Sequence, residues 1–355
     1  MVVRSRVIGL TLGALLAIGL TAACGGVSSA ARSAEDGNCQ PRIAPVDPLA
    51  NPVAVCAAST LDQWHAQRSM GIGQQLNVSS TDFALPLKAL EPSTPALIGF
   101  DLEELHDAIE AGNDPSDELI ARAKAGALLT ATWHARNPQT GGNFDDRSWT
   151  DTAQLLNAKS PSSTAFWANW DKQLRNLKRF QSAGVAVIVS PMHEAGGDWF
   201  WWGGTKPVVY KQIWAQMQAR ASAAGVHNLL WAFAAAPKTR KEIVNPLALL
   251  PHAVDVVGID TYQQTRTNPV PAVDITDYKS LAARAPRMAI TEVGPHGSDG
   301  SWTPSVITST VKANNLSPVY ARLWFDDGDG RKQIASLKGG KEWLAGCPQG
   351  LCSLK

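Results

Sequence analysis

Short apolar runs alternate with amphipathic segments along most of this chain. Eight of these runs have the length and composition of strands covered on both faces. They span residues 70–75, 96–101, 127–133, 185–190, 229–233, 254–260, 288–292 and 321–325. Helical stripes lie between them, such as Phe166, Trp170 and Leu174, which recur at every fourth residue.

Eight strands with intervening helices predict a (β/α)8 barrel of the TIM type, whose usual size is about 250 residues. A doubly wound α/β sheet is the alternative, but no glycine-rich phosphate turn follows the first strand. We expect residues 61–355 to form one catalytic domain without internal repeats. In such a barrel the C-terminal strand ends meet at one face, where functional residues gather.

The first 60 residues are predicted to lie outside the barrel. Arg4 and Arg6 precede an apolar stretch, which is the pattern of a signal peptide over residues 1–23. Small residues lead up to Cys24, as in a bacterial lipoprotein cleavage box, so Cys24 is the predicted lipidated N-terminus. Residues 24–60 would then form a tether and an N-terminal arm, holding the protein on the outer side of the membrane. Plain secretion is the alternative.

Composition narrows the ligand class. The 355 residues are 18% charged, with a formal net charge of +1, which gives no electrostatic reason to expect a nucleic-acid partner. Thirteen Trp against four Tyr favour carbohydrate over phosphate ligands. A monomer is expected.

Four further cysteines in an exported chain indicate disulfides. Local pairing would join Cys39 to Cys56 and Cys347 to Cys352, which is one of three possible connectivities. None of them lies near a histidine at the spacing of metal ligands, so we expect neither a metal nor a cofactor.

The segment 191–202, directly after the fourth apolar run, carries the most chemistry. It contains His193 and Glu194, followed by the indoles of Trp199, Trp201 and Trp202. Indole faces pack on the C–H face of a pyranose, and carboxylates bind hydroxyls or exchange protons. The segment therefore predicts a sugar-binding cleft. The alternative is a loop that packs its aromatic side chains into the core around one satisfied glutamate.

A second glutamate, Glu292, ends the seventh run, so the barrel would bring it to the same face as Glu194. Glycoside cleavage with retention needs such a pair, with the carboxyls about 5–5.5 Å apart. Tyr262, after the sixth run, is placed to donate a hydrogen bond to an ionised Glu292, and His193 to do so from the other side. His134 and Trp324 end the third and eighth runs.

These motifs resemble glycoside hydrolase family 26, which is typified by β-mannanases. His193-Glu194 with the following glycine and tryptophans is similar to the acid/base signature of that family, and residues 289–294 to its nucleophile strand. The likeness covers most of residues 65–330, in the right order. It implies that Glu194 is the acid/base and Glu292 the nucleophile of a retaining glycosidase.

The resemblance also assigns supporting roles. His193 and Tyr262 would orient the nucleophile, while His134, Trp199 and Trp324 would line the sugar subsite beside the cleaved bond. Trp202, or its neighbour Trp201, would bind sugar at a more distal subsite.

Two positions depart from the family pattern: Ser190 stands where the family has Arg, and Gly196 where it has Asn. Both departures remove hydrogen-bonding groups. We therefore expect a polysaccharide substrate, first β-1,4-mannan, with weak activity on the unsubstituted polymer. Mixed-linkage β-glucan and β-1,3-xylan are alternative substrates, and a catalytically weak carbohydrate-binding lipoprotein is the alternative function.

Overall fold

The computed structural model describes residues 39–237, 243–264 and 272–355. Eight parallel strands form a closed barrel, which confirms the predicted (β/α)8 fold. The strands are β1 (Ser69–Gln75), β2 (Leu97–Asp101), β3 (Leu128–Trp133), β4 (Val187–Pro191), β5 (Leu229–Ala235), β6 (Val256–Gln264), β7 (Met288–His296) and β8 (Tyr320–Leu323). Each predicted run overlaps one of them.

The strands pair in chain order from β2 to β8, and β1 closes the ring between β8 and β2. A ninth strand, β9 (Leu351–Ser353), was not predicted. It pairs antiparallel with the start of β1, where Cys352 lies opposite Met70. Three residues are too few to show strand periodicity in the sequence.

The helices cover the outside of the barrel. They are α1 (Pro52–Ala66), α2 (Leu85–Lys88), α3 (Leu102–Glu110), α4 (Ser116–Lys124), α5 (Pro161–Ser182), α6 (Pro207–Ala223), α7 (Pro246–Leu249), α8 (Tyr278–Ala282), α9 (Ser305–Ala313) and α10 (Gly340–Ala345). Short 3-10 turns occur at Thr152–Leu156, Ile334–Ser336 and Pro348–Gly350. Phe166, Trp170 and Leu174 of α5 are buried, as their spacing predicts.

The core has two layers. One apolar cluster lies inside the barrel and includes Leu97, Leu128, Ile188, Leu230 and Val256, each from a different strand. The larger cluster fills the space between the strands and the helices. Strand residues therefore alternate between the two clusters, which is why the strands read as continuous apolar runs.

The N-terminal arm packs across the N-terminal end of the barrel. Val46 N donates to Asp255 Oδ1 at 2.8 Å, just before β6, and Asp47 pairs with His227 at 2.8 Å, just before β5. Helix α1 crosses the predicted boundary after residue 60 and continues to Ala66.

Both local disulfides are present. Cys39 joins Cys56 of α1, and Cys347 joins Cys352 of β9. The pairing predicted from spacing is confirmed, and it attaches the arm to α1 and β9 to the end of α10. Cys24 and the predicted signal peptide lie outside the described residues. In the part of the chain that is described, no helix is both long and apolar enough to span a bilayer.

Candidate active site

The segment after β4 is held in an unusual backbone conformation. Met192 and Glu194 have φ angles of 49° and 53°, in the left-handed region that L-residues rarely adopt. Each such residue costs on the order of 1 kcal/mol, and the surrounding contacts must maintain it. One of these contacts is the bond from Glu194 N to Ala234 O of β5, at 2.9 Å. The strained segment thereby fixes the position of the Glu194 side chain at the barrel face.

Two of the tryptophans hold this segment through hydrogen bonds to backbone carbonyl oxygens. Trp201 Nε1 donates to Ala135 O at 2.7 Å, and Trp202 Nε1 donates to His193 O at 2.8 Å. Both side chains are 0% exposed, and Trp202 stacks on Phe200. The predicted substrate contact of Trp202 or Trp201 therefore finds no accessible ring surface in this structure. Their role in this structure is packing.

Trp199, in contrast, is partly exposed and contacts the first glutamate. Its Nε1 donates to Glu194 Oε2 at 2.5 Å. The ring lies directly over Gly197, where a Cβ atom would fall 2.3 Å from the indole. Glycine at 197 therefore leaves the space that lets Trp199 reach the carboxylate of Glu194.

Glu292 lies at an irregularity of β7. The β6–β7 register shifts between Ile259 and Asp260, so that Asp260 pairs with Glu292 and β7 contains one extra residue. Bulges of this kind redirect side chains beside functional sites. Glu292 is 4% exposed. Tyr262 Oη donates to its Oε2 at 2.8 Å, which confirms the predicted contact.

The second partner of Glu292 is Arg322 of β8, not the predicted His193. Arg322 Nη2 lies 3.2 Å from Glu292 Oε1, whereas His193 Nε2 is 3.9 Å from the same oxygen. That distance is too long for a hydrogen bond. Burial and the charges of His134 and Arg322 hold the pKa of His193 well below its usual range, so the ring is neutral.

Burial raises the pKa of the Glu292 carboxyl above its usual range. The Arg322 charge and the Tyr262 hydrogen bond lower it, while the charge of Glu194 raises it further. Asp260 is also fully buried, and burial together with the charges of both glutamates raises its pKa well above the ordinary value. The site therefore contains three carboxyl groups that compete for negative charge.

His134 is fixed by a residue that the sequence did not single out. Asp101, at the end of β2, accepts from both the backbone N and Nδ1 of His134 at 2.9 Å. Burial lowers the pKa of His134, but bonding to Asp101 and its charge outweigh this effect, so the pKa is raised. The ring lies 5.9 Å from that of Trp324 and 4.7 Å from that of Phe144.

These rings form a partly open aromatic wall beside the carboxylates. Trp324 is partly buried, and Phe144 is 38% exposed. The structure thus brings six of the predicted site residues to one face: Glu194, Glu292, His134, Trp199, Tyr262 and Trp324. His193 lies beneath this face, in edge contact with His134.

One grouping in the described chain has the donor set of a metal site. His193, Asp260 and Glu292 place ligand atoms within 4.8 Å of one another. Glu292 already accepts hydrogen bonds on both oxygens, from Tyr262 and from the positively charged Arg322. We therefore interpret the grouping as part of an acid/base site.

A model of glycosyl hydrolase family 26 matches residues 68–341, most of the chain. The chain belongs to glycosyl hydrolase family 26. It is 25% identical over 259 residues to a mannan endo-1,4-beta-mannosidase of Bacillus subtilis strain 168, spanning 68% of this chain and 69% of that protein. A mannan endo-1,4-beta-mannosidase of Thermothelomyces thermophilus is 34% identical over 154 residues, which cover 39% of this chain and 32% of the relative.

A solved structure shares the fold. Bacillus subtilis mannanase BCman superposes with a TM-score of 0.71 at 23% identity, over 84% of this chain and 92% of that chain. Together with the family match, these likenesses identify the family 26 chain as a glycoside hydrolase similar to β-mannanases.

The two positions that depart from the family 26 pattern have different surroundings. Ser190 is buried at the end of β4, and its hydroxyl has no hydrogen-bond partner among the described residues. Gly196 uses its carbonyl oxygen, which accepts from Ile243 N at 2.8 Å and from Val244 N at 3.2 Å. A side chain at 196 is therefore not needed to hold this part of the loop.

Proposed function

We propose that this enzyme hydrolyses β-1,4-linked mannan with retention of configuration, using Glu194 as acid/base and Glu292 as nucleophile. One observation carries the proposal: two buried carboxylates, Glu194 after β4 and Glu292 in β7, have different hydrogen-bond partners. Glu194 accepts from the neutral indole of Trp199, whereas Glu292 lies between Tyr262 and the cationic Arg322. A cation beside Glu292 favours its ionised form, as a nucleophile requires.

In the first step, the protonated Glu194 gives its proton to the glycosidic oxygen as that bond breaks. An oxygen of Glu292 attacks the anomeric carbon, and a glycosyl ester forms. In the second step, Glu194 takes a proton from water, whose oxygen attacks the same carbon and displaces Glu292. Two inversions at one carbon give net retention.

The charges of the pair support this assignment. The charge of Glu194 raises the pKa of Glu292. When Glu194 holds a proton this effect is absent, and Arg322 and Tyr262 then favour an ionised Glu292. The reactive form, with one proton on Glu194 and none on Glu292, is therefore electrostatically preferred over the doubly ionised pair.

The proposed substrate follows from the relatives, which are mannan endo-1,4-beta-mannosidases. Partly exposed Trp199 and Trp324, with His134, supply the aromatic faces on which a pyranose packs. The test is a panel of β-mannan, glucomannan, mixed-linkage β-glucan and β-1,3-xylan, with product analysis by mass and by NMR of the first anomer released. Highest kcat/KM on a mannan with β product supports the proposal. Preference for glucan or xylan, or an α product, would contradict it.

We also propose that Cys24 anchors the exported protein to the membrane through lipid. The two disulfides of the described chain fit an oxidising compartment, and two acyl chains at about 0.8 kcal/mol per buried CH2 hold firmly. Fractionation tests this: wild type should partition with membranes, and Cys24→Ala should be released or left unprocessed. Wild-type protein found only in the soluble secreted fraction would exclude lipidation.

A further inference from the structure

The interior of the barrel contains a long cationic side chain, Arg322. It contacts four residues, which lie on three other strands. Nε donates to Thr291 O of β7 at 3.0 Å. Nη1 donates to Gln75 Oε1 of β1 at 2.7 Å and to Thr130 Oγ1 of β3 at 2.9 Å. Nη2 contacts Glu292 Oε1 at 3.2 Å. The side chain is 3% exposed, so these contacts hold it in one position.

Two glycines leave the space that this side chain occupies. A Cβ atom at Gly99 of β2 would lie 2.1 Å from Oε1 of Gln75, which accepts from Arg322, 2.7 Å from Arg322 Cδ and 2.8 Å from its Nη1. A Cβ atom at Gly73 of β1 would lie 3.2 Å from Arg322 Cβ and Cγ. Neither glycine has a positive φ, so space and not backbone conformation explains the residue type.

We propose that Arg322 is a positioning residue for Glu292, seated in a niche that Gly73 and Gly99 provide. The inference rests on the proposed role of Glu292 as nucleophile. Tyr262 binds Oε2 and Arg322 binds Oε1, so two donors on different oxygens fix the rotation of the carboxylate. With Tyr262 alone, Oε1 would have no donor within hydrogen-bond distance among the described residues, since His193 is 3.9 Å away.

Loss of Arg322 changes both geometry and charge around Glu292. The titratable groups that face it from the neighbouring elements are Asp260 and Tyr262 of β6, His193 and Glu194 after β4, and His134 after β3. His193 and Asp260 are held neutral. Removing the guanidinium therefore leaves Glu292 beside Glu194 without its cationic partner, and the protonated form of Glu292 becomes more favourable.

The experiment compares Arg322→Met, Arg322→Lys and Arg287→Met in the full chain. Arg287 is a matched control, because it is equally buried but pairs with Asp62 at the opposite end of the barrel, at 2.8 Å. The readouts are the melting temperature, kcat and KM, and the pH profile of kcat/KM on an aryl β-mannoside with a good leaving group.

We expect Arg322→Met to lower kcat by on the order of 100-fold, as loss of one preorganised active-site donor does, with little change in KM. The acidic limb of kcat/KM should move to higher pH. Arg322→Lys should return the acidic limb to its wild-type pH but recover only part of kcat. The lysine ammonium keeps the positive charge but lacks the planar array of donors that the guanidinium provides. Arg287→Met should lower the melting temperature without moving the limb.

A second variant covers the case in which Arg322→Met does not fold. Gly99→Ala keeps the charge and displaces the guanidinium, so kcat should fall and the limb should move in the same direction. The inference would be overturned if the folded variants kept the wild-type position of the acidic limb in the pH profile of kcat/KM and lost no more kcat than Arg287→Met.

Labelling separates this result from a failure of the proposed function. A 2-deoxy-2-fluoro-β-mannosyl fluoride should form an ester with Glu292 in the wild type as fluoride leaves. If Glu292 is labelled and the Arg322 profiles are unchanged, only the positioning role is wrong. If Glu292 is not labelled and Glu292→Ala remains active, the proposed function and this inference both fail.

Discussion

Gly197→Ala is a small substitution that should impair Glu194, the proposed acid/base residue, by displacing its hydrogen-bond donor Trp199. A Cβ atom at 197 would lie 2.3, 2.4 and 2.5 Å from three carbons of the Trp199 ring. Carbon atoms in favourable contact are about 3.5–4.0 Å apart, so the ring must withdraw by more than ~1 Å. The bond from Trp199 Nε1 to Glu194 Oε2 is 2.5 Å long. Such a movement would stretch it beyond hydrogen-bond distance.

The magnitude follows from the kind of bond that is lost. Glu194 becomes ionised as it gives up its proton in the first step, and a hydrogen bond to an ionised group contributes ~1.5–3 kcal/mol, which corresponds to roughly 10- to 150-fold in a rate constant. We expect kcat/KM on mannan to fall by this factor in Gly197→Ala. Trp199→Phe, which keeps an aromatic ring but removes the N–H, should give a similar loss. The φ angle of Gly197 is not positive, so the alanine adds no backbone strain.

Kinetics on mannan and thermal melts test this prediction, with Gly328→Ala as the matched control. A Cβ atom at Gly328 meets nothing within 4 Å, and that variant should behave as wild type. Wild-type kcat/KM in a folded Gly197→Ala would refute the reasoning. So would a loss in Gly197→Ala far above that in Trp199→Phe, because the damage would then come from the backbone and not from the indole.

Three further predictions concern the carboxylates and their neighbours. Glu292→Ala should abolish turnover on every substrate, whereas Glu194→Ala should retain activity on activated aryl glycosides, which need little protonation. Equal residual activity of the two variants on substrates with good and with poor leaving groups would refute the assignment. Pairing with Asp101 raises the pKa of folded His134, so its stabilisation is full below about pH 6.5 and is lost as pH rises through the raised pKa. Asp101→Asn should therefore lose more unfolding free energy in acidic than in alkaline denaturant melts. Shorter manno-oligosaccharides should show lower kcat as well as higher KM, and polymer-like kcat on the trisaccharide would contradict this.

The barrel could be predicted because its strands are buried on both faces. In β4 and β5 the inward-facing Ile188 and Leu230 and their outward-facing neighbours are apolar, so these strands appear as continuous apolar runs. Strand β9 was not predicted because it is only three residues long, and its place depends on pairing with β1 and on a disulfide. The extent of α1 was not predicted because most of its buried residues are small, and they form no clear apolar stripe in the sequence.

Site residues could be predicted only where a chemically reactive side chain lies at the end of a predicted strand. Glu194 and Glu292 follow apolar runs directly, and barrel topology then brings them to one face. Trp202 was assigned to substrate because a core tryptophan and a sugar-binding tryptophan look alike in sequence, and only burial separates them. Arg322 was missed because its partners Gln75 and Thr130 are far apart along the chain.

Position 190 shows why a missing side chain need not mean a missing function inside a closed barrel. The resemblance predicts arginine there, and Ser190 instead places a small, unpartnered hydroxyl in the interior. Yet a guanidinium still reaches the second glutamate, because Arg322 extends inward from β8 through the space left by Gly73 and Gly99. The interior is narrow enough for opposite strands to reach the same carboxylate. The expectation of weak turnover based on Ser190 therefore loses its main reason, and any difference in specificity should be sought where no substitute donor is present, at the sugar-facing wall of His134, Trp199 and Trp324.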